Sequence, residues 1–568
     1  MSFLSLTGRT WIWPKPLPKQ EIQGETTLPW WAEVLLERRG IQEDEAINKY
    51  LQPSLSTLDD PLIMAGMHEA LERITKAIQN NEHITVYGDY DVDGVCSSST
   101  LVEFLQKVGA KTSFYIPDRR REGYGLNLDA VKQIAQESQL LITTDCGINA
   151  NQEITWASQN GLDVIVVDHH QVPETLPPAV ACLNPHRPDC AYPFKDLCAA
   201  GVAFMLVLAL RRHLRDKGHF DERPEPDVRE LLDIVALATV ADMVPIHGTN
   251  RILVAAGLKR LRQNRRVGLA ALCRVSNTDV PRMGATDLGF KLGPRINARG
   301  RVAHAAQAVD LMLTHDPERA QTLASALEHA NQKRKLVEQE TLDEALAKVE
   351  AQKLHENAAI VVHAEHWHPG VLGLVASKLV SRYHLPAIVI GEGGKGSGRT
   401  VHGLNLYQAM KNGSDSLLGF GGHPAAAGLT IEAKNIPNFY HDFSQAVVSQ
   451  LGEPPFYVVL EPDLEVESQT IDFKLIEQLE KLEPFGQGNP EPLLVMRNVE
   501  VQSKRLVGEK HLKLSLGQKG LDAIAFDFGT FMHKIPDKVD VAFHVERNVF
   551  RGNERLQLRI RDIRSSEE

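Results

Sequence analysis

The chain has no apolar run long enough to cross a bilayer. Its longest, Leu197 to Leu210, ends in Arg211-Arg212 and has the length of a buried helix rather than the roughly 20 residues of a span. No Cys-x-x-Cys pair occurs among the six cysteines, and the even spacing of Cys182, Cys190 and Cys198 does not by itself make a zinc site, so free thiols are expected. Met1 to Lys19 holds Trp11 and Trp13 but no charged start with a continuous apolar stretch, which speaks against a secretory signal and for a cytoplasmic protein. The glycine-rich stretches do not fit G-x-x-x-x-G-K-[ST], which removes the P-loop nucleotide triphosphatases. Positive charge is not in excess either: 62 Lys and Arg against 73 Asp and Glu leave a net charge of -11, so nothing attracts nucleic acid globally. Local basic stretches carry that question instead, at Arg119-Arg120-Arg121, Lys259 to Arg266 and Arg547 to Arg564.

What is present is an ordinary globular composition, 43% hydrophobic and 24% charged over 568 residues, enough for three or four domains with ample core. Three strand-like runs end in metal-capable side chains. His83 to Tyr87 runs into Gly88-Asp89-Tyr90-Asp91-Val92-Asp93-Gly94, Leu140 to Thr143 into Thr144-Asp145, and Val164 to Val167 into Asp168-His169-His170. In an open parallel sheet, ligands bind beyond the carboxyl ends of the strands, so these groups are expected to converge. A lone aspartate after a strand is usually a helix N-cap and a lone histidine a satisfied polar residue. Packed together, though, unpaired carboxylates repel and raise one another's pKa, which favours a metal cluster. Oxygen-rich ligation with one or two imidazoles suits Mg²⁺ or Mn²⁺, and bridging carboxylates suit two ions.

The organisation predicted from periodicity is an N-terminal extension at 1–64 with one helix, Trp30 to Arg39, then a βαβ series at 65–315 with helices Ser97 to Lys107 and Glu230 to Val240. Asp242 follows that last helix and invites a ligand role over that of a simple polar helix end. A connecting helix is expected at 316–356, rich in Ala, Leu, Glu, Lys and Arg. A smaller α/β domain is expected at 357–452, with glycine-rich loops at Gly391 to Gly398 and Gly419 to His423. At 453–568 the period becomes two, as in His511 to Leu516 and Leu556 to Arg561, predicting a small β-barrel. Its polar face carries Lys510, Lys513, Arg559 and Arg561, which read equally well as a nucleic-acid surface or a solvated face.

These motifs resemble a known family. Gly88 to Gly94, Asp145, Asp168-His169-His170 and Asp242 resemble the four motifs of the DHH phosphoesterase superfamily, and Gly421-Gly422-His423-Pro424-Ala425-Ala426-Ala427-Gly428 resembles the DHHA1 signature. Glu122 to Asn127, Gly293-Pro294-Arg295-Ile296-Asn297-Ala298, Trp367 to Val371 and Pro484-Phe485-Gly486-Gln487-Gly488-Asn489-Pro490 are similar to segments of the RecJ family of bacterial single-stranded-DNA exonucleases, and the similarity covers nearly everything after about residue 65. The resemblance implies a parallel-sheet DHH domain, a connecting helix, a smaller α/β DHHA1 domain and an OB-like barrel. It implies two divalent ions on Asp91, Asp93, Asp145, His169 and Asp242, with His170 near the scissile phosphate and catalysis centred on His170, His169 and Asp93. Many superfamily members have a histidine where this chain has Tyr87, and Asp89 is the candidate replacement ligand. Asp168 is assigned to orienting its neighbours.

By the same resemblance, Ser397, Arg399 and Arg119 meet a 5′-terminal phosphate, a role for which an arginine fork beside a glycine-flanked serine is well made. Gly422, His423, Arg295 and Asn297 are further implied substrate contacts, His423 being alternatively a loop-packing group. The implied activity is 5′→3′ hydrolysis of single-stranded DNA to 5′-mononucleotides in recombination and repair, with single-stranded-DNA-binding protein and a RecQ-type helicase as partners. Two other functions share the core: a small-molecule phosphoesterase, which needs neither barrel nor this length, and a non-catalytic replication scaffold, which would be expected to lose ligands.

Overall fold

The computed structural model describes residues 4–14, 29–118, 122–123, 125–302, 305–550 and 553–566. The chain forms two compact units, one of Glu43–Gln332 with Leu482–Glu491, the other of Met1–Gln42, Lys333–Lys481 and Pro492–Glu568.

The first unit is built on five parallel strands in the spatial order Lys111–Tyr115, His83–Gly88, Leu140–Thr144, Asp163–Val167, Ala181–Leu183. Ile84, Val86, Ile142, Ile165 and Val167 are fully buried, as expected where helices cover both faces of a parallel sheet. His83–Gly88, the first strand of this sheet in chain order, lies between the second and the third, so the chain winds in opposite directions from it and leaves a crevice at its carboxyl end. That crevice is where Asp89 and Asp145 emerge. The helix that follows, Val92–Lys107, starts five residues before the predicted Ser97. Asp91 caps it, accepting from the N–H groups of Asp93 (2.9 Å) and Gly94 (3.1 Å), which places Asp93 in the first turn. Gly94 is required there, because a Cβ would lie 2.3 Å from the Asp89 carbonyl oxygen.

The second unit holds a five-stranded sheet in the order Leu417–Gly422, Ala426–Ile431, Lys395–Arg399, Ala387–Ile390, Ile360–His363, parallel only between its last two members. Much of the two glycine-rich segments expected as loops is therefore strand. A Cβ at Gly396 would meet the Leu429 side chain at 2.7 Å, so the absence of side chains lets these strands pack closely and does not mark a loop. The C-terminal strands Leu494–Val507, His511–Leu516, Leu521–Ala525, Lys538–Phe550 and Asn553–Ser565 form a ladder that closes when the first pairs with the fourth, from Leu494↔Phe543 to Glu500↔Lys538. The barrel is thus real, and His511–Leu516 alternates half-buried and buried as its period predicts. Of its candidate basic face, Lys513 pairs with Asp522 at 3.0 Å and Arg559 with Glu546 at 3.2 Å.

The N-terminal segment is not an extension. Thr10–Trp11 pairs in parallel with Val459–Leu460, and Trp11 is buried against Val495 and Ala542 while its indole N–H donates to Asp562 at 2.9 Å. A second helix, Asp44–Leu51, belongs to the other unit. The connecting helix spans Pro317–Ala351.

Candidate metal centre and anion site

All the ligand candidates of the parallel sheet meet at its carboxyl edge. Three groups each bring one donor atom per residue within 4.8 Å of one another: Asp89, Asp91 and Asp145; Asp93, His169 and Asp242; Asp145, His169 and His170. Asp145 and His169 are common members, with His169 Nε2 3.2 Å from Asp145 Oδ1 and 3.7 Å from Asp93 Oδ2 and Asp242 Oδ2. Each residue is aimed by its backbone. Asp145 takes the left-handed conformation (φ 60°), which aspartate tolerates better than most residues. Asp242 ends the helix Leu232–Ala241. Asp93 accepts from the N–H groups of Ala199 (2.6 Å) and Ala200 (2.8 Å), at the start of the helix Ala199–Asp216.

Asp168 is nearly saturated by donors. It accepts from the N–H groups of His169 (2.8 Å), His170 (3.1 Å) and Ile148 (3.0 Å) and from His170 Nδ1 (2.7 Å). It therefore orients both histidines. Burial opposes a charged imidazole at His170, but the bond to Asp168 outweighs it and the pKa rises. Burial likewise works against ionised Asp168, and the same bond holds its carboxyl below the ordinary range.

The donor set suits divalent cations. Among the described residues His169 Nε2 is buried without a hydrogen-bond partner, and burial, then the charge of His170, lowers the imidazole pKa to about 4. A neutral ring with an uncommitted nitrogen at three carboxylates is what a metal ligand requires. Burial first, and then the charges of their neighbours, push Asp93, Asp145 and Asp242 above the carboxylate range. A cation would remove both penalties, and five oxygen donors with an imidazole fit Mg²⁺ or Mn²⁺.

The other predicted residues are placed differently. Asn297 accepts from the Val92 N–H at 3.1 Å and so braces the Asp91–Asp93 turn. Arg295 is buried, paired with Glu328 at 2.5 Å and donating to the Lys291 carbonyl. Both therefore have structural partners. In the second unit, Arg399 donates to Ser397 Oγ (3.2 Å) and to the Gly398 carbonyl (2.7 Å), and among the described residues no carboxylate pairs with it. Burial lowers its pKa. Gly373, at the start of the helix Leu372–Tyr383, lies against this pair: a Cβ there would be 2.7 Å from Arg399 Nη2 and 2.9 Å from Ser397 Oγ. A helix N-terminus, a serine and a guanidinium with no carboxylate partner among the described residues are the groups an anion site needs. Gly422 and His423 are exposed, with Gly422 at φ +145° and the His423 N–H on the Ala426 carbonyl. Arg119 lies outside the described residues.

Comparison with known proteins decides the family. The DHH family N-terminal domain matches residues 83–239, the DHHA1 domain 356–449 and the RecJ OB domain 462–562. The chain is 38% identical to the single-stranded-DNA-specific exonuclease RecJ of Bacillus subtilis (94% of this chain, 68% of that protein) and 38% identical to that of Dickeya dadantii (95% and 97%). The chain belongs to the RecJ family. RecJ from Thermus thermophilus, solved in complex with Mn²⁺, superposes with a TM-score of 0.81 at 30% identity over 95% of this chain and 76% of that one. The same protein solved with Mg²⁺ gives 0.74 at 28% identity over 95% and 75%.

Membership sharpens two local readings. Tyr87 is buried, stacked on Tyr115 and bonded through its hydroxyl to the Gly125 carbonyl at 3.0 Å, so it is turned to packing while Asp89 joins Asp91 and Asp145. What sequence reasoning missed in this RecJ-family chain are Ala199 and Ala200, whose contribution is backbone N–H alone, and Gly373, whose contribution is an absent side chain. No residue-type signal marks the first; the second stands in the quoted Trp367-His368-Pro369-Gly370-Val371 neighbourhood.

Proposed function

We propose that this chain is a cytoplasmic, divalent-metal-dependent exonuclease that degrades single-stranded DNA 5′→3′ to 5′-mononucleotides in DNA recombination and repair. The observation that carries the reading is the pair of adjacent ligand groups, Asp89-Asp91-Asp145 and Asp93-His169-Asp242, linked where His169 of one approaches Asp145 of the other at 3.2 Å. The relatives' names support the substrate class, and the Mn²⁺ and Mg²⁺ complexes of the Thermus protein support the cofactor. Single-stranded-DNA-binding protein and a RecQ-type helicase are the partners that go with this reading.

Asp89, Asp91 and Asp145 would hold one ion and Asp93, Asp145, His169 and Asp242 the other. Bound there, two divalent ions supply an activated water and neutralise the phosphoryl oxygens. Asp168 fixes His170 and favours its protonated form, and with 37% of its side chain exposed that imidazole is the group available to donate to a phosphoryl oxygen. Water adds to the second phosphorus as its bond to the 3′ oxygen of the first nucleotide breaks, and that oxygen takes up a proton. The first nucleotide leaves with its 5′ phosphate, and the shortened strand again begins with one. Ser397, Arg399 and the amide end at Gly373 would recognise that terminal phosphate. Arg119 is proposed to share in that recognition.

Digestion of 5′-labelled and 3′-labelled single strands by metal-stripped protein, with Mn²⁺ or Mg²⁺ returned, tests this. The expected result is no hydrolysis without ion and immediate release of labelled mononucleotide from the 5′ end only. Undiminished hydrolysis without metal, or early release of the 3′ label, would overturn it.

A further inference from the structure

The segment Pro484-Phe485-Gly486-Gln487-Gly488-Asn489-Pro490 takes no part in either site. Its ten-residue loop, Leu482–Glu491, nevertheless belongs to the parallel-sheet unit, although the chain on either side of it does not. What the loop touches is the stretch just after Asp242. The Ile246 N–H donates to the Gln487 carbonyl at 2.6 Å. A Cβ at Gly488, which has φ +70°, would lie 3.0 Å from Pro245 Cβ, and one at Gly486 2.8 Å from Ile246 Cγ1.

The loop is itself held stiffly. Asn489 Nδ2 donates to the carbonyls of Leu482 (3.0 Å) and Pro484 (2.8 Å), and the Tyr50 hydroxyl donates to Asn489 Oδ1 at 2.8 Å. Arg251, buried in the helix Gly248–Leu261, donates to the carbonyls of Tyr50 (2.9 Å), Leu482 (3.0 Å) and Glu483 (2.6 Å), with its guanidinium 3.8 Å from the Tyr50 ring centre. From the other side Asn250 Nδ2 donates to the Pro245 carbonyl at 3.0 Å. Pro245-Ile246 is therefore gripped on two flanks.

Among the candidate ligands only Asp242 sits at the C-terminal end of a helix, where backbone carbonyls run out of partners and the last turn frays most easily. The next residue, Met243, takes the left-handed conformation (φ 61°) with 69% of its surface exposed, and its N–H reaches the Val240 carbonyl only at 3.3 Å, so its side chain adds little to holding the turn. Downstream, Val244 packs partly buried against the core, and the next residues, Pro245 and Ile246, are the ones held by hydrogen bonds.

We propose that the loop Leu482–Glu491 is a brace that positions Asp242 for metal binding, an inference that rests on the metal reading above. Gln487, Gly488 and Asn489 are then positioning residues and not catalytic ones. The test uses the full chain, stripped of metal and titrated with Mn²⁺ alone by calorimetry, comparing wild type with Asn489→Ala and Gly488→Ala. The first variant removes the loop's internal bonds and the second inserts a methyl group against Pro245.

The expected result is two Mn²⁺ in the wild type and, in both variants, roughly 10-fold to 100-fold weaker binding of one ion with the other unchanged. Activity lost at low Mn²⁺ should return at high Mn²⁺, with KM for single-stranded DNA unmoved. Variants that lose thermal stability yet bind both ions with wild-type affinity would show a purely structural loop and overturn the proposal. A wild-type chain that binds no Mn²⁺ would instead overturn the metal reading beneath it.

Discussion

The carboxylate cluster of the parallel sheet and the Arg399 crevice of the mixed sheet are alike in being withdrawn from water and opposite in sign. Neither has its counter-charge: among the described residues no lysine or arginine pairs with Asp93, Asp145 or Asp242, and no carboxylate pairs with Arg399. Two other buried arginines are held differently. Arg266 is buried between Glu103 (2.6 Å) and Asp233 (2.8 Å), and Arg295 is buried against Glu328. A buried charge kept for structure is given its partner within the fold, since an uncompensated one is strongly destabilising. In the two regions a ligand of opposite charge would supply that partner, cations in the first and, on the proposed reading, an anion in the second.

The largest expected effect is on the first region. His169→Ala or Asp93→Asn should lower kcat by at least about a thousandfold, several kcal/mol of lost transition-state stabilisation, in a single-strand digestion assay. Asp93→Asn is preferred to Asp93→Ala, because the two oxygens accept separately from Ala199 and Ala200 and Asn keeps one of those bonds, whereas losing both would cost about 1 kcal/mol of stability. Near-normal turnover by either variant would remove the contrast between the regions.

Next comes pH. With the pKa values of Asp93, Asp145 and Asp242 raised above the unfolded value near 4, the metal-free fold is most stable below that value and loses stability as pH rises through the raised ones. Thermal unfolding of metal-free protein should therefore show Tm falling from pH 5 to pH 8, and Mn²⁺ should raise Tm more at pH 8 than at pH 5. At 100 times Kd the gain is about 2.7 kcal/mol per site. An equal metal-induced shift at both pH values would contradict the missing-cation account.

For the second region, Arg399→Ala should erase the preference for 5′-phosphorylated over 5′-hydroxyl strands, a charge-assisted contact worth roughly 1.5 to 3 kcal/mol in kcat/KM. A preference kept at the wild-type margin would rule the crevice out as the anchor. The smallest effect is expected at the barrel: Arg559 already has Glu546, so Arg559→Ala should change binding to long single strands by no more than about 1 kcal/mol. A larger loss in a filter-binding titration would mean that the pair opens to DNA.

Much of the first region is legible in the sequence because its ligands stand at the ends of apolar runs, and a parallel sheet can only gather such ends along one edge. Asp145 and His169 are placed by that rule alone. The barrel is legible through its period of two. What escapes is contact made without a chemical signature. Thr10–Trp11 and Val459–Leu460 are too short to show any periodicity, yet their pairing ties the N-terminus into the second unit. Lys395–Arg399 and Leu417–Gly422 hide as loops because glycine is depleted in strands generally and used here for close approach. The loop Leu482–Glu491 lies inside a stretch whose sequence reads as barrel, while its hydrogen bonds reach residues more than two hundred positions earlier.

In the order of synthesis that loop comes late. Every candidate ligand has been made once Asp242 emerges, but the last segment of the parallel-sheet unit ends at Glu491. At about 5–20 residues per second the intervening stretch of about 250 residues takes roughly 10–50 s to translate. Throughout that interval a nascent chain carries the whole carboxylate cluster and the Asn250 hold on Pro245, but not the loop that grips the other flank of that turn. If the loop braces Asp242 as proposed, the ligand set is chemically complete about 250 residues before it is mechanically complete.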